Sequence, residues 1–108
     1  MRNSWRVLTL AALLVSAWAQ ADETTKPQEI TRIQYSAANK TLYFASTTGW
    51  GAPSCPNATY AYAHEASTPG LATLTSLGMQ AKASGSMVTF TGTCDNAEHM
   101  KIDYIIIN

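Results

Sequence analysis

Thr68–Gly85 reads TPGLATLTSLGMQAKASG, and this stretch decides the fold. It is the one part of the chain beyond residue 21 with helical spacing. Leu71, Leu74, Leu77 or Gly78, and Ala81 recur at three- and four-residue intervals and make one apolar stripe. Thr68 is placed to cap the first turn, with Pro69 at the first helical position, where a missing N–H costs nothing. Ser84-Gly85 supplies a left-handed stop.

Working outward, three strand-like runs precede this helix and two follow it. Glu29–Ser36 (EITRIQYS) puts Thr31, Ile33 and Tyr35 on one face and Ile30 on the other, a phase break that predicts a bulge. Thr41–Ser46 (TLYFAS) points Leu42 and Phe44 one way and Tyr43 the other, and pairs with the first run as a hairpin across a turn in which Asn39 can adopt a left-handed conformation. Asn57–Glu65 (NATYAYAHE) separates Tyr60, Tyr62 and His64 from Ala61 and Ala63. Ser86–Thr91 (SMVTFT) is the fourth run. Lys101–Ile107 (KIDYIII) is apolar on both faces, which predicts a central strand. The order β-β-β-α-β-β is that of the OB-fold, a five-stranded Greek-key barrel. An open sheet with one helix across it is the competing architecture.

Residues 1–21 stand apart. Arg2 and Arg6 precede the apolar run VLTLAALLVSAW, and Ala19-Gln20-Ala21 matches a small-x-small cleavage site. The run is shorter than the ~20 residues that span a bilayer. A cleaved secretory signal is therefore expected, with a secreted or periplasmic product and no stable membrane insertion. Residues 22–28 (DETTKPQ) are polar and read as a flexible leader, leaving 29–108 as a single domain. Without Arg2 and Arg6 the chain carries five basic residues against seven acidic ones, a net charge of −2. No basic stripe exists, so nucleic-acid binding is not expected. Cys55 and Cys94 are an even count in an exported chain, which predicts one disulfide. A link across that span is worth about 4 kcal/mol through the unfolded chain. In the expected barrel the two cysteines lie at the same end.

This layout resembles the B subunits of the subtilase-cytotoxin and pertussis-like toxin group. The shared features are the signal peptide, the hairpin, a cysteine opening the third strand, the helix LATLTSLGMQAKASG and the strand SMVTFTGTC. The resemblance implies an OB barrel that binds carbohydrate and assembles as a homo-oligomer. No sugar-contacting residue of that group can be matched to a position here.

Signs of catalysis are sparse. His64-Glu65 and Glu98-His99 are the His–carboxylate neighbours, and adjacent strand residues point to opposite faces. Glu98, His99 and Asp95 read as a solvated loop rather than a metal site. No nucleophile elbow, phosphate loop or HExxH helix occurs. No cofactor is expected. The case for binding rests on aromatics. Tyr60 and Tyr62, continued by His64, would form a stacking platform if exposed, or would fill the interior if turned inward. Trp50, between Gly49 and Gly51 in the loop Thr47–Pro56 (TTGWGAPSCP), reads either as a projecting recognition residue or as a lid on the core. The expected function is a non-catalytic binding module for carbohydrate or a partner protein, with Trp50, Tyr60, Tyr62 and His64 as its contacts. The alternative is an exported inhibitor or regulator of a partner enzyme, acting through the Trp50 loop.

Overall fold

A computed structural model describes residues 22–108. The segment read as a signal peptide lies outside the described residues. The described residues are mainly β with one α-helix: β1 (Glu23–Thr24), β2 (Gln28–Glu29), β3 (Arg32–Ser36), β4 (Thr41–Ala45), β5 (Tyr60–His64), α1 (Leu71–Ser84), β6 (Met87–Cys94) and β7 (His99–Ile107). The strands form one sheet in the order β1-β6-β7-β5-β4-β3, and β2 also pairs with β6. β5 and β7 are parallel, in register from Tyr60↔His99 to Tyr62↔Lys101; the other pairings are antiparallel. β7 is central, as its two apolar faces predicted.

The sheet is open and has seven strands, six on this path and β2 off it, where five strands in a closed barrel were expected. Of the two additional strands, β1 lies in the stretch read as a flexible leader, and β2 joins the end of that stretch to Glu29, the start of the expected first strand. Their pairing owes nothing to hydrophobic pattern. Thr25 is buried; its N–H donates to Phe90 O (2.8 Å) and its Oγ1 accepts the Phe90 N–H (2.9 Å). Lys26 N–H donates to Trp50 O (2.9 Å). The leader thus satisfies backbone groups along an otherwise open strand edge, which favours its ordering. The predicted phase break falls at Ile30–Thr31, between β2 and β3. Ile30 turns into the core, and Thr31 N–H donates to Ala45 O (2.8 Å).

The core follows strand alternation. Leu42 and Phe44 of β4, Ala61 and Ala63 of β5, Val88 and Phe90 of β6, and Met100 and Ile102 of β7 are buried together. Leu74, Gly78 and Ala81 are the buried face of α1. Small residues let the helix approach: a Cβ at Gly78 would lie 2.5 Å from Phe44 Cζ. Phe44 in turn stacks on Phe90, with centroids 5.5 Å apart.

The helix ends where the glycine predicted. Gly85 has φ 69°, and Ser86 N–H closes on Ala81 O (3.0 Å). Its start differs from expectation. Leu71 N–H donates to the Thr68 carbonyl (3.1 Å) in a turn across Pro69-Gly70, and the bond from Leu74 N–H to Gly70 O (2.9 Å) follows. Gly70 is therefore the N-cap, without a side-chain cap, and Thr68 and Pro69 precede the helix. In the β3–β4 turn the left-handed residue is Lys40 (φ 52°), not Asn39, whose N–H donates to Ser36 Oγ (3.2 Å).

Candidate binding site

Trp50 does not project. Its side chain is fully buried, edge-on to Phe90 at 4.8 Å between centroids, and Nε1 donates to Phe44 O (3.3 Å). Its N–H donates to Ala58 O (2.7 Å). The flanking glycines serve close packing instead of display. A Cβ at Gly49 would lie 2.4 Å from Asn57 Cα, and Gly51 sits at φ 83°. The loop folds onto the core as a lid, so Trp50 is unavailable to a ligand. Cys55 and Cys94 are bonded, with Cα atoms 5.9 Å apart and a sequence separation of 39, which ties this loop to the end of β6.

Tyr60, Tyr62 and His64 do come together. Ala61 and Ala63 are fully buried in the core, so alternation turns the tyrosines to the opposite face, where Tyr60 is half-buried and Tyr62 is buried. Tyr43 joins them because it lies opposite Tyr62 in the β4–β5 register. The parallel β5–β7 register adds His99, which faces Tyr60. The Tyr60 and His99 rings stack at 5.3 Å and 16°. Tyr43 lies 5.9 Å from Tyr60, 6.3 Å from Tyr62 and 6.2 Å from His99. Tyr62 lies 5.0 Å from His64 and 6.2 Å from His99.

The β6–β7 turn supplies the polar rim. Tyr62 OH donates to Asp95 Oδ2 (3.0 Å). His99 Nδ1 and Glu98 N–H both meet Asn96 Oδ1, at 3.0 and 2.9 Å. Thr41 Oγ1 lies 2.8 Å from His64 Nδ1, and Arg32 Nη2 donates to Tyr60 OH (3.4 Å). Burial, followed by the hydrogen bond to Asp95, pushes the Tyr62 phenol up to about 12. Tyr43, Tyr62, His64, Asp95, Asn96 and His99 enclose a hollow of about 210 Å³. Among the described residues, larger hollows lie elsewhere, one of about 590 Å³ between α1 and β7 and one of about 490 Å³ beside the β2–β3 break. Neither gathers several rings around polar groups.

Comparison with protein-family models, curated proteins and solved structures finds no match. The chain's own geometry carries the argument. Among the described residues, no three His, Cys, Asp or Glu side chains converge on a metal position. Glu65 does not serve His64; it accepts an exposed hydrogen bond from Tyr35 OH (2.6 Å).

Sequence reasoning had Tyr60, Tyr62 and His64 on one face but left Tyr43, Asp95, Asn96 and His99 out of the site. Tyr43 carried a readable signal, its alternation with Leu42 and Phe44. The other three join only through the β7 register.

Proposed function

We propose that this protein is a secreted or periplasmic, non-catalytic binding module that takes a glycan on the outer face of its sheet. The observation that carries the reading is the meeting of Tyr43, Tyr60, Tyr62 and His99 beside the Asp95 carboxylate. Sugar rings have one apolar face and a hydroxyl edge, and such a surface offers rings for the first and acceptors for the second. The disulfide accords with an oxidising compartment. No helix among the described residues is long and apolar enough to cross a membrane.

An OB-like closure of the sheet and a toxin-B-like homo-oligomer belong to the same reading. The β2 pairing with β6 and the β3 pairing with β4, on either side of Ile30–Thr31, support the closure. The exposed Tyr104, Ile106 and Ile107 on β7 support self-association. The regulator reading, which needs a projecting Trp50, has no support from a buried ring.

A glycan array with the purified protein tests the function. The expected result is a defined set of hits, weakened about tenfold by Tyr60→Ala, as loss of one stacking ring implies. A blank array, or hits unaffected by both Tyr43→Ala and Tyr60→Ala in folded protein, overturns it.

A further inference from the structure

The hydrogen bonds around the hollow fix which atoms of its walls donate and which accept. Thr41 Oγ1 has one proton, and that proton goes to Asn39 O (3.1 Å). At its other contact Oγ1 must accept, so His64 Nδ1 carries the hydrogen. Asn96 Oδ1 receives the Glu98 N–H and is therefore the amide oxygen, so His99 Nδ1 is also a donor. In an imidazole with hydrogen on Nδ1 alone, the lone pair is on Nε2. Asp95 adds a carboxylate, one oxygen of which receives the Tyr62 hydroxyl proton. The hollow thus offers acceptors, while the Tyr62 hydroxyl and the Nδ1–H of His64 and His99 are spent within the protein.

The rings add to this. The Tyr43, Tyr62 and His99 centroids form a nearly equilateral triangle with sides of 6.3, 6.2 and 6.2 Å. The point equidistant from them in that plane is about 3.6 Å from each, within the ~6 Å over which a tyrosine ring attracts a cation lying over its face. The Asp95 carboxylate favours positive charge, as do the faces of the tyrosine rings. Two cations stand on the same side. Arg32 is exposed and engaged with Tyr60 OH, and Lys101 is exposed next to Tyr62 in the β5–β7 register, where solvent and salt screen it.

We propose that the hollow is an ammonium subsite and that the glycan it takes carries a free amino sugar. The inference rests on the glycan-binding reading above. The test is a matched set of monosaccharides in both the gluco and the galacto series: the 2-amino sugar, the parent hexose and the corresponding uronic acid. Binding is followed by amide NMR shifts of Tyr43, Tyr62, Asp95 and His99 at neutral pH. The expected order is amino sugar over hexose by about tenfold, with the uronic acid weakest. Asp95→Asn brings the amino-sugar-to-hexose ratio close to one. Equal affinities, or a preference for the uronic acid, overturn the ammonium subsite and leave glycan binding standing. No shift from any of the six sugars also overturns the subsite. If the array is blank as well, the glycan reading falls with it.

Discussion

Trp50→Ala should bring the domain close to unfolding. The indole is completely buried, packs edge-on against Phe90 and donates to the Phe44 carbonyl. Truncating a buried tryptophan costs about 3–5 kcal/mol in transfer and cavity terms. Leaving the Phe44 carbonyl without its donor adds about 1 kcal/mol or more. Small domains have only about 5–15 kcal/mol in total. Trp50→Phe keeps a ring against Phe90 and should cost clearly less, though it also loses the Nε1 donor. Urea unfolding followed by circular dichroism compares the two. With a slope near ~1 kcal/mol/M for a small domain, the alanine midpoint should fall by more than ~2 M. Fluorescence gives an independent reading. Trp50 emission, taken as the difference between the parent protein and Trp50→Phe, should be blue-shifted and resist iodide quenching. A quenchable Trp50, or a Trp50→Ala variant with an unchanged midpoint, would refute the packing and restore the projecting loop.

Gly78→Ala tests the helix seat. Helix propensity alone favours alanine by about 1 kcal/mol, but the new Cβ would enter the Phe44 ring, which is itself held against Phe90. Overpacking costs about 1–3 kcal/mol, so the net effect should be a lower melting temperature, read by calorimetry; a rise would mean that the ring yields easily. Tyr62 should be the last tyrosine to ionise. Its phenol lies near 12 against an ordinary 10.0, because burial and the Asp95 bond favour the neutral form. The stability it contributes is therefore present below pH 10 and lost as the pH rises through 12. Phenolate absorbance checks this, and Tyr62→Phe should remove the final step.

Much of the architecture was legible because it is written locally. Alternation in TLYFAS and NATYAYAHE placed Leu42, Phe44 and the Tyr60–His64 face, and the glycine at 85 marked the helix end. The two cysteines announced their bond by count and compartment. What was not legible depends on distant partners. DETTKPQ has no hydrophobic period, and its ordering comes from Thr25 and Lys26 bonding to Phe90 and Trp50. Glycines beside Trp50 are compatible with display or with tight folding, and only the proximity of Asn57 decides between them. Asp95 and His99 reach the tyrosines through a parallel pairing that no local pattern encodes.

The position of β7 has a consequence for how the protein is made. This strand leaves the ribosome after the six it joins, yet it lies between β6 and β5. Until it arrives, β3, β4 and β5 form one fragment and β1, β2 and β6 another, each with an unfilled edge. Sheet completion must then wait for residues 99–107, and contacts so distant in sequence form slowly. A nascent chain stalled shortly before His99 would carry two sticky half-sheets, the kind of species that chaperones hold and that aggregates when they do not. The centre of the finished sheet is thus the last part to exist.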